Sequence, residues 1–120
     1  MLLLMPKAET VTTTGTTPAV LATVAGGVST GTIRATGRVV ARNTASGDSA
    51  VWDVACAAKV TPTTGALFGD PAIGLFVADT SMTGCVVAAT AAPSGIAITV
   101  TGLAGATIAW SADFLPALEA

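Results

Sequence analysis

Residues 32–60 alternate between apolar and polar side chains, and this alternation constrains the fold more than any other feature of the sequence. Arg34, Arg38 and Arg42 lie four residues apart in the segment TIRATGRVVAR. Such spacing suits a helical stripe, but it also suits one face of a strand, because four is twice the strand period. The residues between the arginines are apolar at every second position, which indicates a strand.

The turn-like segment NTASGD and a second alternating run, SAVWDVACAAKV, follow this strand. Counting outward from the turn predicts an antiparallel hairpin in which Arg38 faces Asp53 as an ion pair. All charged residues of the hairpin then lie on one face. The opposite face is apolar and carries Val39 and Trp52 as predicted core residues. A slip of one residue would bury every charge, so the pattern itself specifies the register.

The rest of the chain continues in short apolar and β-branched runs separated by clusters of Gly, Pro, Asn and Ser. This pattern predicts an all-β fold, an antiparallel β-sandwich of about seven or eight strands with jelly-roll-like or Greek-key connections. We expect an extended N-terminal arm over residues 1–18 and the sandwich domain over residues 19–120. The predicted strands are AVLATV, TIRATGRVVAR, SAVWDVACAAKV, AIGLFVAD, GCVVAAT, GIAITVTG and ATIAWSADFL.

A second hairpin is predicted around the turn GLAGA, near the end of the chain. Its facing pairs would be Val100 with Ile108, Ile98 with Trp110, and Ile96 with Ala112. Each hairpin would then present one tryptophan to the core, so Trp52 and Trp110 are predicted anchors of two facing sheets, with Val39 and Ile98 beside them. The alternative role for these tryptophans is stacking against a carbohydrate.

Low charge is the main compositional signal. Only 10% of the 120 residues are charged, five basic and seven acidic, whereas about a quarter is usual in soluble domains. A surface with so few charges is poorly protected against association, which predicts an oligomer or a larger assembly.

A membrane protein is not expected from this hydrophobicity. Residues 80–112 contain no ionisable side chain except that of Cys85, but glycines and Pro93 interrupt them and threonines alternate with Ile and Val. A membrane helix would need about 20 mostly apolar residues in helical form. The opening MLLLM is too short to span a bilayer, and no positive charge precedes it as in a signal peptide. We expect a soluble protein made in the cytoplasm.

No catalytic, cofactor or metal site emerges from the sequence. The chain has no histidine, so Ser-His and Cys-His nucleophile pairs are excluded. Asp48 and Asp70 lie in turn-like segments, where aspartate commonly bonds the local backbone, and Asp53 is expected to pair with Arg38. The aspartates therefore do not converge on a recognisable catalytic pair. Cys56 and Cys85 match no metal-binding spacing, and we expect both to be buried free thiols. The protein is therefore predicted not to be an enzyme.

Nucleic acid is not an expected partner either. The formal net charge is −2, and Asp53 is expected to neutralise Arg38. A nucleic-acid-binding face would need a stronger basic patch and exposed aromatic rings. Arg34 and Arg42 are left for solvent or for a neighbouring subunit, and we predict that they are assembly contacts.

The segments GRVVARNTASGDSAVWDV and IAITVTGLAGATIAWSADF resemble a small β-rich domain of tailed-bacteriophage virion surface proteins. The resemblance covers residues 31–114. It implies a role in the fold, and no binding role, for the matching residues Gly37, Val39, Ala41, Arg42, Gly47, Asp48, Trp52, Gly102 and Trp110. One departure is Ala109, because that position is often basic in such domains.

This resemblance implies a structural role in the virion. The chain opens with Met1 and shows no fibrous or coiled-coil segment, so we expect a capsid decoration or cement protein rather than a fibre. It would be a homo-oligomer, a trimer or a dimer, that binds the major capsid protein or another virion protein on the capsid exterior. The alternatives are a tail or tail-fibre-associated, receptor-binding domain and a carbohydrate-binding module.

In such an assembly, the N-terminal arm is the part of the chain that we predict extends to a neighbouring subunit. Its apolar tip, Leu2, Leu3, Leu4 and Met5, suits addition of a strand to the sheet edge of a neighbour. The alternatives are a simple first strand of the chain's own sheet and a disordered start.

Overall fold

Two antiparallel β-sheets enclose a single hydrophobic core. The structure is a computed structural model that describes residues 2–3, 7–25 and 30–119. Ten strands lie in these residues: β1 (Leu2–Leu3), β2 (Lys7–Thr14), β3 (Ala19–Ala25), β4 (Gly31–Asn43), β5 (Ser49–Val60), β6 (Gly65–Leu67), β7 (Ala72–Ala78), β8 (Val86–Ala92), β9 (Gly95–Thr101) and β10 (Thr107–Glu119). Their one helical element is a 3-10 turn at Thr80–Met82, and they contain no helix that could cross a membrane.

The larger sheet has seven strands and the smaller sheet has three. In the larger sheet β10 lies between β4 on one side and β1 and β2 on the other. The strand β5 pairs with β4, and both β6 and β7 pair with the remaining side of β5. The smaller sheet has the order β3-β9-β8. The predicted all-β class with antiparallel sheets is confirmed, and the arrangement is that of a β-sandwich.

Each of the seven predicted strands corresponds to an observed strand. The count of ten exceeds the predicted seven or eight, because β1 and β6 are very short and Lys7–Thr14 forms β2. The described part of the predicted arm thus pairs with β10 of the same chain. The side chain of Thr13, in β2, is buried. For these residues the structure agrees with the alternative of a simple first strand in the chain's own sheet. The domain boundary at residue 18 stays a prediction.

The register predicted for the first hairpin is confirmed. Arg38 lies opposite Asp53 and Val39 opposite Trp52. Along both strands burial alternates as expected, with the arginines exposed and Val39 and Trp52 inside. The alternation predicted this pairing because any one-residue slip would bury charge and expose the apolar face.

The second hairpin, by contrast, was predicted wrongly. The strand β9 pairs with β3 and β8, whereas β10 pairs with β1, β2 and β4, so the two strands belong to different sheets. Residues 102–106 carry the chain from one sheet to the other. The predicted inward residues are nevertheless all buried, because the two strands contribute to the core from opposite sides: Ile96, Ile98, Val100, Ile108, Trp110 and Ala112.

The two tryptophans lie on one sheet, not on two facing sheets as predicted. Trp52 is on β5 and Trp110 on β10, with β4 between them. Their ring centroids are 5.6 Å apart and their planes meet at 27°. Trp110 lies opposite Ala41 of β4, and Trp52 lies opposite Val39 of the same strand. The indole Nε1 of Trp110 donates a hydrogen bond of 2.8 Å to the hydroxyl of Thr13.

Both sheets supply the core around this stack. Ile33 and Val39 from β4 are fully buried, as are Ile98 from β9 and Ile108 from β10. Phe114 continues the inner face of β10 beyond Trp110. Burying such side chains stabilises a domain by about 1.5–3 kcal/mol for each large apolar residue.

Candidate assembly surface

The face of the seven-stranded sheet that points away from the core carries the charges of the first hairpin, and we call it the outer face. The Nε atom of Arg38 donates to Oδ1 of Asp53 at 2.8 Å. Both side chains are more than half exposed, at 60% and 53%. Exposed pairs of this kind contribute about 0–1 kcal/mol to stability. The pair therefore fixes the positions of two exposed side chains and adds little to the stability of the fold.

Two exposed phenylalanines extend this face beyond β5. The guanidinium carbon of Arg38 lies 4.9 Å from the ring centroid of Phe76, on β7. The ammonium of Lys59 lies 5.7 Å from the ring centroid of Phe68. Each cation covers an aromatic ring that would otherwise face solvent alone. The outer face thus changes from charged to aromatic towards the edge of the sheet.

The predicted assembly contacts Arg34 and Arg42 occupy opposite ends of β4. Both are exposed, and eight residues of strand separate them by about 26 Å. Arg34 lies opposite Ala117 of β10. The guanidinium of Arg42 packs close to Gly47 in the turn of its own hairpin. The two arginines therefore belong to different parts of the surface.

The N-terminal leucines lie near Arg34 and not near Arg42. Leu3 pairs with Ala117, the residue that Arg34 faces from the other side of β10, and Leu2 pairs with Leu118. Leu4 and Met5 lie outside the described residues. The structure therefore brings together one arginine and two leucines from the predicted set of contacts.

The strand β7 is a functional candidate that sequence reasoning missed. Leu75, Phe76 and Val77 are consecutive and exposed by 46%, 60% and 57%. Among the described residues β7 pairs with β5 alone, so its other side is an edge of the sheet. The sequence feature that could have identified β7 is the run GLFVA, in which no polar residue alternates with the apolar ones. Such a run is typical of a strand that is buried on both faces, whereas β7 lies at an edge of the sheet.

The three-stranded sheet carries no charge at all. None of the residues of β3, β8 and β9 has an ionisable side chain. Val20 and Val86 are more than half exposed on these strands. An uncharged sheet face of this kind does little to prevent association.

The loop NTASGD is held rigidly by its own polar groups. The side chain of Asn43 accepts hydrogen bonds from the backbone N–H groups of Ala45 and Ser46. Asp48 accepts a 2.5 Å hydrogen bond from the hydroxyl of Ser81, in the 3-10 turn. Bonds from a side chain to the backbone, like those of Asn43, are a common way to order a turn.

A second carboxylate, that of Asp79, connects the start of the 3-10 turn to β5. Asp79 accepts a hydrogen bond of 2.9 Å from the backbone N–H of Ser49, while its own N–H donates to the carbonyl of Ser49. This aspartate precedes the 3-10 turn. The acidic residues at this end of the sandwich thus join two loops.

The two tryptophans, the widest groove and the acidic residues were the candidates for a ligand site among the described residues. Trp52 and Trp110 are 5% and 1% exposed, so neither ring is accessible for stacking against a sugar. A shallow groove of about 470 Å³ is lined mainly by threonines and glycines, with Lys59 as its ionisable side chain. Over residues 2–3, 7–25 and 30–119, no three His, Cys, Asp or Glu residues are grouped as a metal site would require.

Both cysteines are free and buried, as predicted. Burial raises the pKa of the Cys56 thiol and of the Cys85 thiol above their ordinary value of 9.0, because it disfavours the thiolate. The thiols are therefore unreactive in the folded protein.

This shift predicts a loss of stability in alkali. Below the unfolded-state pKa of 9.0 both states keep the thiols protonated. Above it the unfolded chain releases protons first, so the free energy of unfolding falls as pH rises. Urea unfolding between about pH 8 and pH 10 should show this decrease. It should be smaller in the Cys56→Ala/Cys85→Ala variant, and equal slopes in the two proteins would contradict the assignment.

No protein-family model matches the chain, and a search of curated proteins also found no match.

Proposed function

We propose that this protein is a non-enzymatic structural protein of a tailed-bacteriophage virion. In this proposal it binds the capsid exterior as a homo-oligomer and stabilises the capsid, as a decoration or cement protein does. Two lines of reasoning support the proposal. One is the sequence resemblance over residues 31–114, and the other is the apolar, weakly charged surface described above.

The exposed apolar strand β7 is the observation that carries the proposal. An edge strand offers unpaired N–H and C=O groups, and proteins that remain monomeric usually protect it with charge, proline or a covering segment. The strand β7 contains neither charge nor proline, and its one irregularity is a β-bulge at Phe76. A contiguous apolar patch of this kind typically marks an interaction site. Such a surface is expected in a structural protein whose exposed strands are covered by neighbouring subunits.

Three aspartates among the described residues make structural hydrogen bonds, which favours a structural role over catalysis for these three carboxylates. Asp48, Asp53 and Asp79 each accept a hydrogen bond from a neighbouring side chain or backbone group. These bonds hold loops and strands in place. A carboxylate that served as a general acid or base would instead point into a cleft with a reacting group.

The finer assignment of the fold forms part of this proposal. After a long connection β9 lies beside β3, and β10 beside β4. Returns of this type are typical of Greek-key sandwiches. We therefore retain the jelly-roll-like or Greek-key connectivity, with an arm formed by the first residues of the chain.

The copy number in purified virions tests the proposal. Quantitative mass spectrometry should find on the order of hundreds of copies per particle, because a decoration protein follows the symmetry of the capsid. A handful of copies would favour the alternative of a tail or tail-fibre-associated protein. Absence from the virion would overturn the proposal.

Charge reversal at Arg34 and Arg42 tests the predicted contacts. The Arg34→Glu/Arg42→Glu variant should fold normally, since exposed charges on a strand contribute little to stability. Its binding to capsids stripped of the protein should weaken, measured by cosedimentation. The Lys59→Glu variant changes a charge on the same face and is the control. A clearly lower free energy of unfolding together with unchanged capsid binding of the folded protein would show that the two arginines support the fold instead.

A further inference from the structure

We draw no further inference here: the strongest candidate, the exposed apolar edge of the seven-stranded sheet at β7, carries none, because nothing in the described part of the structure shows what covers it.

Discussion

Replacing Trp110 with alanine should lower the free energy of unfolding by about 3–5 kcal/mol, the range for large aromatic residues in cores. Trp110 is 1% exposed and stacks against Trp52 at 5.6 Å. Its removal would leave a cavity and end a ring contact worth about 0.5–1.5 kcal/mol. Domains are commonly stable by only about 5–15 kcal/mol, so this loss would be a large fraction of the total stability.

The hydrogen bond of Trp110 adds to this effect. Its Nε1 atom donates to the hydroxyl of Thr13, which is 5% exposed. The alanine variant would leave that buried hydroxyl without its donor, at a cost of about 1–3 kcal/mol. Because Thr13 belongs to β2, the bond also attaches the N-terminal strand to the core.

Denaturant unfolding followed by circular dichroism measures the loss at Trp110. Phe76→Ala is the control, because Phe76 is also aromatic but 60% exposed, and it should change stability by less than about 1 kcal/mol. The Trp110→Phe variant separates the hydrogen bond from ring burial. A Trp110→Ala protein as stable as the wild type would show that the tryptophan does not anchor the core.

The Gly37→Ala variant should also be strongly destabilised, by about 3 kcal/mol or more, the upper end of the range for overpacking. A Cβ atom at Gly37 would overlap the backbone carbonyl of Asp113 on the neighbouring strand β10, and would also contact Phe114. A backbone carbonyl in a sheet cannot move aside as a flexible side chain can. The ladder between β4 and β10 would have to shift.

Gly74→Ala is the matched control for this prediction. Gly74 also lies within a strand, but a Cβ atom there would meet nothing within 4 Å. Alanine reduces the backbone freedom of the unfolded chain, so this change should be neutral or slightly stabilising. Thermal unfolding of both variants gives the comparison. Similar melting temperatures for the two would show that the approach of β4 to β10 tolerates a side chain.

The first hairpin shows how much of the fold the sequence predicts. Its charges alternate with apolar residues over more than twenty positions, and both strands end at one recognisable turn. Under those conditions a single register keeps all charges in water. The Arg38–Asp53 pairing and the burial of Val39 and Trp52 follow from it. Of the candidate surface, however, only this charged face was predictable in detail.

The second hairpin shows why local alternation was not enough elsewhere. The inward residues of β9 and β10 were predicted correctly, but their partners were not. Alternation tells which face of a strand is buried, and it does not tell whether the next strand lies beside it or across the core. The short turn at Gly102 favoured a hairpin, whereas the chain passes there to the other sheet. Trp110 therefore lies in the same sheet as Trp52.

The sequence by itself determined the all-β class, the positions of seven strands, the inward faces and the register of one hairpin. These follow from side-chain period and turn residues, which are local properties. Only the tertiary structure decided the order of strands in the two sheets, and with it the place of β7 at an edge. Strand order depends on contacts between residues far apart in the chain, and a continuous apolar run reads the same in a central strand and in an edge strand that a partner covers.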